Sequence, residues 1–215
     1  MGTLILVRHG QSQWNLENRF TGWTDVSLTP AGRADAVLTG KSLRDYRFDI
    51  AFTSALKRAH ETLDALLEGH GQTGLLRIED KALNERHYGD LQGLNKAETI
   101  QKFGEEQVKL WRRSFSTRPP NGESIEDCVA RVMPYFNDKI LPELVAGKTV
   151  LVVAHGNSLR PIFRDLDHLS DDVTATLEVP LVVPTVYTFD GTKPIKKEII
   201  TVEGMVVKDT SKITK

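Results

Sequence analysis

Apolar residues fall into two kinds of run along this chain. Thr3-Leu4-Ile5-Leu6-Val7 and Thr149-Val150-Leu151-Val152-Val153-Ala154 are unbroken and rich in β-branched side chains, which is the pattern of strands buried on both faces of a sheet. Between them, apolar positions recur at helical spacing. Thr29-Pro30 reads as an N-cap followed by proline at the first helical position, and it predicts a helix through about Leu43. Asp49 to Ser54 reads as a short strand. Ala55 to Leu67 carries a stripe of Leu56, Ala59, Leu63, Leu66 and Leu67, closed by Gly69 and Gly71. Leu75 to Ile78 reads as an edge strand.

The second half of the chain is less regular. Asn95 to Trp111 predicts a helix, and Arg118-Pro119-Pro120-Asn121-Gly122 is a breaker and loop. Ser124, three residues before Asp127, resembles a capping box. It opens a helix through about Leu144, on which Ile125, Val129, Val132, Met133 and Phe136 share a face. Ser158 to Leu166 predicts a helix directly after the second apolar run. Thr185 to Val207 alternates in β fashion around an Asp190-Gly191 hairpin turn, and the polar Lys208 to Lys215 predicts a mobile tail. Strands alternating with helices predict an α/β fold, a three-layer α/β/α sandwich with a mostly parallel central sheet. No repeat, low-complexity tract or linker divides the chain, so one domain over 1–215 is expected.

Composition narrows the class. The chain has 215 residues and a formal net charge of −1, so no global field recruits nucleic acid or an anionic membrane. Anion binding must come from local basic groups. A single cysteine, Cys128, excludes an intrachain disulfide and suits a reducing compartment. The N-terminal apolar run ends at Val7, too short for a secretory signal, and no stretch approaches the roughly 20 apolar residues of a membrane span. A cytoplasmic protein is expected, with no nucleic-acid or membrane partner.

Chemistry appears wherever a predicted strand ends. Arg8-His9-Gly10 follows the first, Ser54-Ala55-Leu56-Lys57-Arg58 the second, Glu85-Arg86-His87-Tyr88-Gly89 the edge strand, and His155-Gly156-Asn157-Ser158 the late apolar run. Ligands bind at the carboxyl ends of strands in open α/β sheets. If these strands are parallel neighbours, Arg8, His9, Arg58, Glu85 and His155 converge. That set suits phosphoryl transfer, where catalysis is largely positioning and cationic stabilisation of the equatorial oxygens. Arginine matches those oxygens bidentately, and a neutral imidazole is a competent nucleophile. Glu85 is placed to pass a proton to and from a substrate oxygen. A glycine beside each histidine is expected to admit the ligand closely.

Five motifs in order then carry a resemblance. Arg8 to Asn15 (RHGQSQWN), Phe20 to Trp23 (FTGW), Glu85 to Lys96 (ERHYGDLQGLNK), Trp111-Arg112-Arg113 and His155 to Arg160 (HGNSLR) resemble the 2,3-bisphosphoglycerate-dependent phosphoglycerate mutases of the histidine phosphatase superfamily. The similarity runs from about residue 3 to 190. It implies a phosphoglycerate mutase-like fold, with 82–123 covering the substrate. It implies an isomerase of glycolysis and gluconeogenesis that interconverts 3- and 2-phosphoglycerate through phosphorylated His9, primed by 2,3-bisphosphoglycerate and without a metal. Glu85 would exchange the proton, while Arg8, Arg58 and His155 would bind the transferring phosphoryl group. Asn15, Thr21, Gly22, Arg86, Tyr88, Lys96, Arg112, Arg113, Gly156 and Asn157 would hold the rest of the substrate.

Two departures limit what carries over. Only Ser114 to Gly122 links the Trp-Arg-Arg segment to the next helix, a shorter stretch than in longer relatives, so a homo-oligomer is left open. The tail matches no motif. Two rival readings remain: a phosphatase on the same fold, with water as acceptor, and a phosphoanion-binding protein without turnover. Gly147-Lys148-Thr149 is no nucleotide loop, because it precedes a strand and has Pro142 where glycine is required. No metal-ligand spacing is present.

Overall fold

In a computed structural model, which describes residues 1–206, the two unbroken apolar runs lie side by side. β1 (Gly2–Arg8) and β4 (Thr149–Ala154) pair in parallel, in register from Thr3 opposite Thr149 to Arg8 opposite Ala154. β2 (Ile50–Thr53) pairs in parallel with β4, and β3 (Arg77–Glu79) lies in parallel at the edge beyond β2. On the other side, β5 (Thr185–Asp190) and β6 (Lys193–Ile199) form an antiparallel hairpin against β1. The six-stranded order is β3-β2-β4-β1-β5-β6. The sheet is therefore mixed, parallel in its first four strands and closed by the hairpin.

Alternating side chains of the central strands feed two cores. Leu4, Leu6, Val150 and Val152 pack with Val132, Phe136, Ile140, Leu159 and Ile162 on one face. Those partners come from α6 (Ile125–Tyr135), a π-helical turn (Phe136–Ile140) before α7 (Leu141–Val145), and α8 (Gly156–Leu166). Ile5, Val7, Leu151 and Val153 pack on the other face with Leu43, Leu63 and Leu66, from the end of α2 (Pro30–Ser42) and from α3 (Lys57–His70). Each fully buried Leu or Ile contributes roughly 1.5–3 kcal/mol relative to exposure. Such a two-faced core is what makes an unbroken apolar strand stable.

Several boundaries differ from the sequence expectation. The helix expected over Ala55 to Leu67 starts at Lys57 and ends at Gly71, whose φ is 87°. Gly69 does not stop it. A Cβ there would lie 1.9 Å from the Val37 carbonyl oxygen, so this glycine admits the backbone of α2. The edge strand begins at Arg77 rather than Leu75. Asn95 to Trp111 is two helices, α4 (Lys96–Phe103) and α5 (Glu105–Arg113), because Gly104 takes φ 84° between them. The predicted capping box of Ser124 and Asp127 is present, and the helix it opens passes through the π-helical turn to Val145. The β pattern of the tail ends at Ile199, and the expected mobile segment, Lys208 to Lys215, lies outside the described residues. Two short helices, α1 (Gln13–Leu16) and α9 (Asp171–Thr176), and two 3-10 turns, Lys81–Leu83 and Gly89–Leu91, complete the described part.

Candidate active site

Register decides the site. Arg8 stands opposite Ala154 and Thr53 opposite Val153, so β1, β2 and β4 end at one edge and release their polar residues together. His9 continues the ladder, its N–H donating to the Ala154 carbonyl at 2.9 Å. His155 caps α8, which starts directly after it. Arg58 lies in the first turn of α3. Glu85 arrives on the loop after β3.

The imidazoles of His9 and His155 meet with ring centroids 5.0 Å apart, tilted by 55°. His9 Nδ1 lies 2.7 Å from the Gly10 carbonyl. A carbonyl only accepts, so Nδ1 carries the proton and Nε2 keeps its lone pair. His155 Nε2 lies 2.6 Å from Ser54 Oγ. Glu85 Oε1 accepts from the backbone N–H of Arg86 (2.8 Å) and of Asn157 (3.1 Å). Arg58 donates to the carbonyls of Gly22 (2.8 Å) and Thr24 (3.2 Å), and Arg8 donates to Val179 (2.7 Å).

These groups edge a cavity of about 230 Å³. It is smaller than the roughly 300–1,000 Å³ pockets that enclose drug-sized ligands. Seven cationic side chains line it against two carboxylates, Glu85 and Glu178. Arg8, His9, Asn15, Thr21, Gly22, Arg58, Glu85, Tyr88, Lys96, Arg112, Arg113, Gly156 and Asn157 all border it. His155 is buried beside His9. Arg86 is not at the cavity. Its guanidinium is fully buried, donating to the carbonyl of Trp111 (3.0 Å) and lying 4.6 Å from the Tyr88 ring centre, so it braces the end of α5.

The glycine expectation also needs correction. A Cβ on Gly10 would meet the Gly32 carbonyl oxygen at 2.5 Å, so this glycine accommodates helix α2 rather than a ligand. A Cβ on Gly156 would make only ordinary contact with Arg8, at 3.6 Å.

Five lining residues escaped the sequence expectation: Arg19, Phe20, Arg160, Glu178 and Val179. Arg160 had a signal, since it stands one helical turn after Gly156, on the face that meets the site. It donates to Asn157 Oδ1 (2.7 Å) and to the Leu177 carbonyl (2.9 Å). Asn157 is thereby turned to offer its Nδ2 to the Tyr88 hydroxyl at 3.2 Å. Glu178 forms an ion pair with Arg113, and nothing in its sequence context marks it.

Electrostatics follow from burial among cations. His9 is held well below the ordinary histidine value by burial, then by Arg58 and Arg8, against the opposing Gly10 hydrogen bond. His155 is held well below it by burial, then by Arg58, His9, Arg8 and, least, Arg131. Both rings are neutral near pH 7. Burial lowers Arg58 and Arg160 to about 10, which leaves both charged, and burial also lowers Lys96 and Arg112. His9, Glu85 and His155 each bring one possible ligand atom within 4.8 Å of the others. The surrounding guanidinium groups favour an anion over a cation there. A neutral imidazole with a free lone pair, in a cationic cradle beside one carboxylate, can accept a phosphoryl group and manage one proton.

The 2,3-bisphosphoglycerate-dependent phosphoglycerate mutase 2 of Gloeobacter violaceus is 56% identical over 194 residues, 89% of each chain. The 2,3-bisphosphoglycerate-dependent phosphoglycerate mutase of Rhizobium rhizogenes is 52% identical over 202 residues, 93% of this chain and 96% of that one. Among solved structures, a mycobacterial glucosyl-3-phosphoglycerate phosphatase superposes with a TM-score of 0.74 at 28% identity, covering 92% of this chain and 96% of its own. The family model of the histidine phosphatase superfamily (branch 1) matches residues 4–200. With its paired histidines at the carboxyl edge of a mixed sheet, this chain belongs to the histidine phosphatase superfamily.

Proposed function

We propose that the chain is an isomerase that interconverts 3-phosphoglycerate and 2-phosphoglycerate, a step of glycolysis and gluconeogenesis. The observation that carries this reading is one small cavity lined by more cations than a single phosphoryl group needs. His9, Arg8 and Arg58 line it together with Lys96, Arg112, Arg113 and Arg160. A phosphatase needs cations around one phosphoryl group. A mutase must also retain a second anionic group while a bisphosphorylated intermediate reorients, and the additional cations provide that retention.

His9 Nε2 acts as nucleophile. It forms a bond to phosphorus as the phosphorus–oxygen bond to the substrate breaks, and Glu85 gives its proton to the departing oxygen. In the opposite direction Glu85 removes the proton from the attacking substrate hydroxyl, and the phosphoryl group leaves His9. Arg8 and Arg58 neutralise the transferring oxygens, and the neutral His155 ring and Asn15 help to bind them. Thr21, Gly22, Tyr88, Lys96, Arg112, Arg113, Gly156 and Asn157 hold the remainder of the substrate. 2,3-Bisphosphoglycerate supplies the phosphoryl group that first loads His9. The cavity suits such a ligand because its lining is dominated by cations, and the reading calls for no metal. Both substrates are soluble metabolites, so the proposed location is the cytoplasm. Among the described residues no helix is long and apolar enough to cross a membrane.

The test is to incubate the protein with labelled 2,3-bisphosphoglycerate and locate the acid-labile label. The label is expected on His9, and it is expected to pass to 3-phosphoglycerate faster than to water. Predominant loss to water in the presence of 3-phosphoglycerate would favour the phosphatase. No flux above a His9→Ala control in an enolase-coupled assay would remove the enzymatic reading.

A further inference from the structure

Arg131 lies on α6, belongs to no sequence motif and does not line the cavity, yet its guanidinium gathers the loop that delivers Glu85. Nη1 donates to the carbonyls of Lys81 (3.2 Å), Ala82 (2.8 Å) and Asn84 (3.1 Å). Nη2 approaches the Glu85 carbonyl at 3.5 Å. Nε and Nη2 together grip the Glu123 carboxylate, at 3.1 and 2.9 Å. Glu123 in turn accepts from the His87 N–H at 2.8 Å, and its own N–H donates to the His87 carbonyl at 2.8 Å. Trp23 completes the arrangement. Its Nε1 donates to the Glu85 carbonyl at 2.5 Å, and its ring centre lies 5.8 Å from the Arg131 guanidinium.

The backbone of 81–87 therefore has little hydrogen bonding of its own beyond the turn at Lys81–Leu83. Carbonyls in such a segment need outside donors. Arginine can serve several at once because its planar fork presents five N–H groups. Glu85 stands between the two anchored stretches, with its carbonyl held by Trp23 and approached by Arg131 and its carboxylate turned toward Asn157 and the cavity.

We propose that Arg131 is a positioning residue for the proton-transfer step: it fixes the loop backbone so that the Glu85 carboxyl stays within reach of the reacting substrate oxygen. This rests on the reading of Glu85 given above. The proton transfer should depend on it most. His9, Arg8 and Arg58 are carried by other elements, and Arg8 and Arg58 hydrogen-bond the carbonyls of Val179, Gly22 and Thr24 rather than the 81–87 backbone.

The leaving group separates these contributions. When His9 takes a phosphoryl group from 2,3-bisphosphoglycerate, the departing alkoxide needs the Glu85 proton. When it takes one from p-nitrophenyl phosphate, the phenolate leaves unprotonated. Rapid-quench measurement of phosphohistidine should show Arg131→Met slowed about 10- to 100-fold with the bisphosphate, since displacing a catalytic group by about 1 Å can cost 10²-fold. With p-nitrophenyl phosphate the change should stay within about 3-fold. Arg131→Lys keeps the charge but not the fork, and it should show the same selectivity at smaller size. It also serves if the Met variant does not fold, as judged by circular dichroism. Glu85→Gln sets the scale of the selective loss. Equal losses on both donors, or none on the bisphosphate, would overturn the proposal. If Glu85→Gln is selective and the Arg131 variants are not, this inference alone fails. If the wild-type His9 accepts phosphate from neither donor, the functional reading fails with it.

Discussion

His9 and His155 sit with ring centres 5.0 Å apart, both buried, and both face the field of Arg58 and Arg8. Two cations beside two imidazoles oppose protonation of either ring. The arrangement keeps a nucleophilic lone pair available on His9 without a neighbouring base to deprotonate it.

A pH dependence follows. An ordinary histidine is half protonated near pH ~6.5, whereas both rings here remain neutral as the pH falls through that value. The rate of His9 phosphorylation should therefore show no histidine-type loss around that pH, and its acid limb should lie lower. Single-turnover quench experiments across pH 5 to 8 check this. Stability should behave in the opposite sense. The unfolded chain binds these two protons before the native state does, so stability should decline as the pH falls below the ordinary histidine value. The slope is about 1.4 kcal/mol per pH unit for each ring. Urea unfolding at pH 7 and pH 5.5 measures it, and His155→Asn should flatten the dependence.

Arg112 and Arg113 line the cavity together with His9. Replacing both with methionine should raise KM for 3-phosphoglycerate by about 10²-fold, since hydrogen bonds to charged groups contribute about 1.5–3 kcal/mol each. Hydrolysis of a small phosphate monoester should change by only a few-fold. Equal losses on both substrates would remove the role assigned to this pair.

Glu178 holds Arg113 by an ion pair at the cavity rim. Phosphoglycerate must share Arg113 with that carboxylate. Glu178→Gln should therefore tighten 3-phosphoglycerate binding about 2- to 5-fold at low ionic strength, on the scale of a partly exposed charge interaction. The gain should shrink as salt approaches physiological strength. Calorimetric titration at two salt concentrations reads both effects, and weaker binding by the variant would contradict the model.

Ser124 opens α6 through a reciprocal capping box with Asp127, whose carboxylate Arg118 holds down to about 2. Ser124→Ala should destabilise the fold by about 1 kcal/mol, the usual cost of a lost cap. Because α6 carries Arg131, a fraying start to this helix should also slow turnover more with 2,3-bisphosphoglycerate than with p-nitrophenyl phosphate.

Local chemistry determined a great deal before any folding was considered. The unbroken apolar runs at residues 3–7 and 149–154 could be stable only inside a sheet covered on both faces. Thr29-Pro30, Ser124 and Asp190-Gly191 act through bonds within a few residues, so their cap and turn roles were legible. The convergence of Arg8, His9, Arg58 and His155 was legible because parallel strands deliver their ends to one edge. Interactions between distant segments decided the rest. The split at Gly104 depends on a backbone angle that the surrounding helical residues do not announce. Arg86 carried a motif position yet turned inward, because the carbonyls at the end of α5 needed a donor. Glu178 and Arg131 were invisible for the same reason. A charged side chain far along the sequence acquires its role from the carbonyl or carboxylate that the tertiary fold brings beside it.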